Sequence, residues 1–310
     1  MKLCFRSEIW YRSLKCVSLL YQWKLINNYD SIIKLLKVYL EWSQQTRFQN
    51  DTDLLNDLLN KWPFKNKEVR IWACMHIGPY AIIVRVLIIM EYKVAILLRS
   101  DVFEEQKNIY KKQYQLSFGR EADESELLFI KSDVGNPLLR LKDAILKGYQ
   151  VVIFIDGQIG VDGNAKGWQS VKLYGSTVNL REGIAALSHW TNTPINALIL
   201  SFFNEKIKFR FIQNEIIKNK ADYQSAFQNI FSLMHCLSIE ELIQWEYLPT
   251  IFEKSEVFNN KTNRDSAIWL PLHVQDKEML FDITTGRSVL IKENEFDIIS
   301  KKFKVLLAVD

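Results

Sequence analysis

The fold is decided by residues 71–80, which read Ile71-Trp72-Ala73-Cys74-Met75-His76-Ile77-Gly78-Pro79-Tyr80. An apolar run ends in this segment at a histidine, a glycine and a proline, and a second apolar run follows at residues 81–90. Turn-forming residues between two apolar runs are typical of a strand, a tight turn and a helix. We therefore predict that His76 lies at the carboxyl end of a buried strand, where open α/β sheets bind their ligands.

The elements on either side of this segment indicate an α/β fold. A strand over residues 69–75, a helix over 80–90 and a strand over 93–98 form a βαβ unit, so the two strands should be parallel. Further strands are predicted over 127–130, 151–155, 195–203 and 206–212, and a short strand or hairpin over 171–174. Further helices are predicted over 104–118, 137–147 and 180–190. We expect a mixed, mostly parallel central sheet flanked by helices.

Two domains are predicted, a main domain over residues 1–258 and a small α+β appendage over 265–310. Helices over 9–42 and 52–62 begin the main domain, and a helical stretch over 222–245 completes it. The appendage should contain strands at 279–283 and 288–291 and a helix over 293–303. The first helices are amphipathic and rich in aromatic residues and lysine, so they suit packing on the core, which we favour, or a membrane interface.

Composition excludes several classes of protein. Hydrophobic residues make up 48% and charged residues 25% of the chain, which is typical of a globular protein. The net charge is +4 without a dense Lys/Arg block, so no nucleic-acid partner is expected. Four separated cysteines indicate free thiols in a reducing cytosol. Neither a signal peptide nor a membrane span is recognisable, so we expect a cytoplasmic protein, with peripheral contact at the inner face of the membrane as an alternative.

Polar side chains end three of the predicted strands. His76 in such a place can accept a proton from a hydroxyl or amine that attacks a carbonyl, and a structural imidazole is the alternative. Asp156 either caps the turn at Gly157, orients an imidazole or binds a polar substrate group. Arg99 either holds a phosphate or carboxylate or forms a surface ion pair.

Other residues near these strand ends can assist a reaction at a carbonyl. Gln158 and the backbone amides of the glycine turns can donate hydrogen bonds to a developing oxyanion. Cys74 should lie on the same sheet face as His76, either as a nucleophile or as an inert buried thiol. The remaining histidines show no metal-ligand spacing, so no metal site is expected, and the nucleophile-elbow, P-loop and dinucleotide motifs are absent from the sequence.

Several blocks of the chain resemble the lipid A late acyltransferases, which are relatives of the glycerolipid acyltransferases. Residues 74–80 are similar to that family's His-Phe-Gly-Asn-Trp-Glu block, and residues 93–99 to its strand that ends in arginine. Residues 141–158 resemble its helix, Lys-Gly turn, strand and Asp-Gln motif. Residues 171–194 resemble its aromatic-Gly pair, here Tyr174-Gly175, and the helix that follows. The resemblance covers roughly residues 5 to 255.

The resemblance implies an acyltransferase with a glycerolipid acyltransferase-like fold. His76 would activate a hydroxyl or amine acceptor against an acyl thioester on acyl-carrier protein or coenzyme A, which is a co-substrate, so no cofactor is implied. It also implies substrate-binding roles for a group of strand-end and turn residues: Arg99, Gly78, Gly157, Gln158, Tyr174 and Gly175.

One position departs from the family pattern. The family's acid, five positions after the histidine, is Ala81 in this chain. Asp156, Glu182 or another acid must then supply the missing carboxylate, or the site binds without catalysing acyl transfer. The alternative function is therefore a catalytically altered member that serves as a binding partner in a biosynthetic complex.

The C-terminal segment resembles a second kind of protein. Residues 279–291, followed by residues 294–296, are similar to the hairpin and first helix of the small peptide-binding domains of the coenzyme-PQQ pathway. Those domains add a leader peptide as an edge strand. The resemblance implies a peptide partner, or acylation or other modification of a peptide, and a plain hairpin is the alternative interpretation.

Overall fold

The computed structural model describes residues 5, 7–44, 52–64, 66–157, 167–204, 206–213, 216–254 and 267–307. Its helices are α1 (Glu8–Gln22), α2 (Tyr29–Gln44), α3 (Thr52–Lys61), α4 (Ile82–Ile89), α5 (Phe103–Phe118), α6 (Pro137–Leu146), α7 (Gly183–Thr191), α8 (Tyr223–Ser232), α9 (Ile239–Leu242), α10 (Leu248–Lys254) and α11 (Glu293–Leu307). Its strands are β1 (Ile71–Cys74), β2 (Val94–Leu98), β3 (Leu127–Lys131), β4 (Gln150–Phe154), β5 (Trp168–Leu173), β6 (Ser176–Arg181), β7 (Ile195–Phe203), β8 (Lys206–Gln213), β9 (Trp269–Val274), β10 (Lys277–Asp282) and β11 (Arg287–Leu290).

Contacts divide the chain into two compact units. The first comprises residues 1–46, 174–177 and 238–310, and the second comprises residues 47–173 and 178–237. This division differs from the predicted boundary after residue 258, because the N-terminal helices group with the C-terminal segment.

The second unit is built on a six-stranded sheet in the order β3-β2-β4-β1-β7-β8. The pairs from β3 through β7 are parallel, and β8 runs antiparallel to β7. The mixed, mostly parallel sheet that the sequence predicts is therefore present. β1 and β2 are parallel, as expected for a βαβ unit, and β4 lies between them.

Three helices of this unit pack on one face of the sheet. α3, α4 and α5 share a core with β1, β4 and β7, in which Trp72, Val152 and Leu198 are almost fully buried. The apolar sequence of α4 fits this position, since seven of its eight residues, Ile82–Ile88, are buried. β1 has no exposed residue, which explains its uninterrupted apolar sequence.

The segment after the candidate site contains the hairpin that the sequence allows as an alternative to a single strand. We predict a strand or hairpin over 171–174 and a helix near 180–190; the structure has a hairpin of two six-residue strands, β5 and β6, and α7 begins at Gly183. The turn is made by Tyr174 and Gly175, whose φ angles are 48° and 85°. In β6, buried residues alternate with exposed ones, which is the pattern of a strand with one solvated face.

The first unit combines helices α1, α2 and α10 with the three-stranded antiparallel sheet β11-β10-β9 and helix α11. The sequence did not predict β9, because Pro271 lies in the middle of it. Proline is tolerated in edge strands, and β9 is an edge strand of this sheet.

Two side chains of α1 explain why the N-terminal helices group with the C-terminal segment. Trp10 Nε1 donates to the Pro271 carbonyl at 2.7 Å, and Ser18 Oγ donates to the Ile283 carbonyl at 2.7 Å. Rings from both ends of the chain also meet, with Phe5 at 5.4–6.4 Å from Trp10, Phe296 and Phe303. In the described part of the chain, no helix is both long and apolar enough to cross a membrane.

Candidate functional site

The candidate site forms where β1 and β4 end side by side. Their register places Cys74 opposite Phe154, and the Ile155 amide continues the pairing by donating to the Cys74 carbonyl at 2.9 Å. His76 and Asp156 each follow two residues later. Because both strands run in the same direction, the two side chains emerge together at the carboxyl edge of the sheet.

His76 and Asp156 make two hydrogen bonds with each other. The ring atom Nδ1 lies 2.6 Å from Asp156 Oδ1, and the His76 backbone amide donates to Asp156 Oδ2 at 2.7 Å. The Asp156 side chain is only 1% exposed, whereas the His76 side chain is 19% exposed. A buried carboxylate thus orients a half-buried imidazole through Nδ1. Proton transfer with a bound molecule would then use Nε2, the other ring nitrogen.

Two aromatic rings hold the imidazole from other sides. The Phe154 ring packs at 4.5 Å from the imidazole centroid with an interplanar angle of 34°, and the Tyr80 ring meets it edge-on at 4.8 Å. Phe154 and Tyr80 also contact each other at 5.3 Å. Neither ring is among the predicted site residues. Alternation places Phe154 on the same sheet face as Asp156, two residues before it, but does not show that the ring touches the imidazole.

The turn after His76 depends on Gly78. This glycine has φ +59°, in the left-handed region that favours glycine, and it is buried. The Ile77 amide donates to the Met75 carbonyl at 2.8 Å, which closes the turn tightly behind His76. Ala81 then takes the N-cap position of α4 and is 4% exposed. The position of the family's acid therefore holds a buried methyl group here.

Cys74 is buried beneath the site and is poorly suited to act as a nucleophile. Burial, and secondarily the charge of Asp156, raises the pKa of the Cys74 thiol. The reactive thiolate is accordingly suppressed at neutral pH. This favours the inert interpretation of Cys74 over the nucleophilic one.

The other predicted site residues lie in different surroundings. Arg99 is exposed and donates to Asp101 Oδ2 at 2.7 Å. It follows β2, which β4 separates from β1. Gly157 follows Asp156 directly and is half-buried, and Gln158 lies outside the described residues. Tyr174 belongs with Gly175 to the first unit, where its ring packs on Trp23 at 5.1 Å.

Glu182, the other acid considered for His76, has different partners. Its carboxylate accepts a hydrogen bond from Gln169 at 2.9 Å and lies 3.8 Å from Lys220 Nζ.

His189 contacts the Tyr223 hydroxyl at 3.2 Å. Among the described residues, no group of three or more His, Cys, Asp or Glu side chains is arranged to hold a metal ion.

Comparison with known proteins adds no relative: no protein-family model matches the chain, and no curated protein matches it.

Proposed function

We propose that this protein is an acyltransferase of the type that the sequence resembles, with His76 as general base and Asp156 as the residue that positions it. The observation that carries the proposal is the 2.6 Å contact between His76 Nδ1 and Asp156 Oδ1, with the carboxylate buried. A carboxylate that is hydrogen-bonded to Nδ1 fixes the imidazole tautomer in which Nε2 accepts a proton. On this proposal Asp156 takes the place of the acid that the family has where Ala81 stands.

The proposed reaction follows from this tautomer. Nε2 of His76 removes the proton from a hydroxyl or amine acceptor while the acceptor atom forms a bond to the thioester carbonyl carbon. The carbon–sulfur bond of the tetrahedral intermediate then breaks, and the proton passes from Nε2 to the thiolate that leaves. The thioester is carried by acyl-carrier protein or coenzyme A. The glycerolipid acyltransferase-like fold and a substrate-binding role for Arg99 belong to the same proposal.

The test measures acyl transfer from acyl-carrier protein and coenzyme A thioesters to hydroxyl, peptide amine and water acceptors, with products identified by mass spectrometry. We expect His76→Gln and Asp156→Asn each to lower kcat by about a hundredfold or more, because each removes a part of the acid–base unit. Asp143→Asn, an exposed carboxylate on α6, serves as the matched control and should retain activity. Unchanged turnover in the His76→Gln variant would contradict the proposal.

A second candidate function, peptide binding, is favoured by the surface around β11. This strand is an edge of the three-stranded sheet, and Leu290 at its end is 65% exposed. Helix α11 of the same unit exposes further apolar side chains, with Ile298 at 58% and Val305 at 75%. An exposed strand edge with apolar neighbours suits the addition of an extended peptide.

Peptide binding is tested by selecting binders to the full chain from a library of extended peptides. Selected peptides should lose affinity for Leu290→Lys and keep it for Leu116→Lys, because Leu116 is equally exposed on α5 of the other unit. Equal binding to both variants would contradict a role for β11.

A further inference from the structure

A groove of about 340 Å³ lies between helix α3 and strand β8 in the second unit, and we call it the β8 groove. Two residues of α3 line it together with four consecutive residues of β8: Leu58, Lys61, Ile207, Lys208, Phe209 and Arg210. Side chains of consecutive strand residues point to opposite faces of a sheet. A groove lined by such a run therefore follows the length of the strand.

β8 is the last strand of the six-stranded sheet and pairs with β7 in the described part of the chain. One side of the strand faces α3, and the Phe209 ring stacks at 5.8 Å on Trp62, the residue that follows α3. Phe211 continues this apolar side and is 41% exposed. An edge strand with a helix alongside it is the arrangement in which proteins add a peptide as an extra strand.

The charges along β8 have one sign. Residues 206–213 contain Lys206, Lys208 and Arg210 and no acid. Lys208 Nζ lies over the Phe203 ring at 4.0 Å and Arg210 donates to Ser201 Oγ at 3.1 Å, so both cations lie against β7. Lys61, on α3, forms an exposed ion pair with Asp57 at 2.6 Å. Asp57 is therefore paired within α3, and the positive charges of β8 are a separate set.

We propose that the β8 groove binds an extended segment of a partner polypeptide, with alternating acidic and apolar residues, as a seventh strand of the sheet. The apolar residues of the segment lie beside Leu58 and Phe209, and its acidic residues face Lys208 and Arg210. A second copy of this chain is a poor occupant, because two β8 strands would place like charges opposite each other. This proposal is independent of the acyltransferase reaction.

The test uses a fluorescein-labelled peptide of alternating glutamate and valine and measures fluorescence anisotropy with the full chain at low salt. We expect saturable binding. The same peptide with every backbone amide N-methylated has the same charge but no amide that can donate to a strand ladder along either edge, so its affinity should fall by about tenfold or more. Lys208→Glu should weaken the unmodified peptide to a similar extent.

Lys131→Glu is the matched control for the charge reversal. Lys131 lies on β3, the opposite edge of the same sheet, and its Nζ also stands over a phenylalanine ring, that of Phe103, at 4.7 Å. This variant should bind the peptide like the unaltered chain. Equal affinity for the N-methylated peptide, equal loss in both variants or no saturable binding would overturn the proposal and leave the lysines as a guard against edge-to-edge association.

Discussion

At the scale of single residues, the imidazole of His76 is fixed by its surroundings rather than by its own conformational preference. Asp156 bonds to one ring nitrogen and to the backbone amide of His76, and Phe154 and Tyr80 contact the ring. A catalytic imidazole gains from such restraint, because it must be in place before the acceptor arrives. Under the proposed function, the aromatic pair should therefore matter for turnover as well as for stability.

Replacing Phe154 by leucine tests this expectation. Loss of the ring contact, worth about 1 kcal/mol, should lower kcat by about fivefold. KM should change little, because the leucine leaves the hydrogen bond between His76 and Asp156 intact. Steady-state acyl transfer is the measurement. Phe129→Leu on β3 is the control, since that ring packs on Phe103 and Tyr110 instead. An equal loss of kcat in both variants would point to general destabilisation.

Sequence patterns were sufficient to select His76 and Asp156 separately, because each ends an apolar strand. Their 2.6 Å contact could not be read in the same way, since it depends on β4 being the neighbour of β1. Strand order is set by packing over the whole sheet, not by local periodicity. The contribution of Phe154 was missed for a related reason: an aromatic residue in a buried strand has the same pattern whether or not it touches a functional group.

At the scale of elements, β7 contains an unusual polar residue. The Asn196 side chain is fully buried, and within the described residues neither its oxygen nor its nitrogen has a hydrogen-bond partner. On β4, Gln150 is equally polar and 2% exposed, but it accepts from Trp72 Nε1 at 2.9 Å and donates to the Glu68 carbonyl at 2.8 Å. These two amides should respond in opposite ways to replacement.

Asn196→Leu should raise the free energy of unfolding by about 1 kcal/mol, because it removes buried polar atoms that lack partners. Gln150→Leu should lower it by about 1 to 3 kcal/mol, since the Trp72 indole and the Arg70 backbone amide, which both donate to Gln150 Oε1, would lose their acceptor. Urea unfolding followed by circular dichroism measures both changes. Destabilisation of similar size in both variants would contradict the distinction between them.

The loop between α5 and β3 should make stability depend on acid. Hydrogen bonds from Arg120 and then from Tyr114 lower the pKa of Glu126 from 4.5 to about 2. A lowered pKa in the folded state gives stability that is present above the unfolded value and is lost as the pH falls through the folded value. Stability should therefore decline between about pH 4.5 and pH 2, and because these groups are near the surface the effect is modest.

Glu126→Gln should reduce the loss of stability at low pH, since the glutamine has no charge that protonation could remove. Thermal unfolding midpoints measured across this pH range check the result. Glu124→Gln removes a nearby exposed acid and should keep the slope of the parent chain. A slope that does not change in Glu126→Gln would contradict the assignment.

The elements themselves were predicted best where periodicity and turn residues agree. β1, β2, β4 and α4 follow from apolar runs bounded by glycine, proline or charged residues. The β5–β6 hairpin extends beyond the predicted residues 171–174, because its turn uses a positive φ at Tyr174 that local sequence preference does not favour. β9 was missed because Pro271 argues against a strand unless the strand is known to lie at an edge.

At the scale of the whole molecule, the two ends of the chain belong to one compact unit. The main sheet could be predicted, because its strands follow one another in the sequence with helices between them. The grouping of α1 with β9 could not, since it rests on contacts such as Trp10 Nε1 to Pro271, which are 261 residues apart. Amphipathic helices show that a face is buried but not which element covers it.

Removal of residues 265–310 should therefore damage the first unit rather than delete an independent appendage. Trp10, which is fully buried, would lose its hydrogen bond to the Pro271 carbonyl and its contact with the Phe303 ring. We expect aggregation and loss of near-ultraviolet circular dichroism in the shortened chain. Leu290→Lys, which alters only an exposed position, is the control. A monomeric shortened chain with native-like circular dichroism would contradict this prediction.

The separation of His76 and Asp156 along the chain, 80 positions, has a consequence for synthesis on the ribosome. When the chain has been synthesised only as far as the end of α5, His76 is present but Asp156 is not. Only after β4 is made and docks beside β1 does the imidazole acquire its partner. Under the proposed function, a nascent chain cannot consume thioesters, and the onset of activity reports that the sheet has been assembled in the correct strand order.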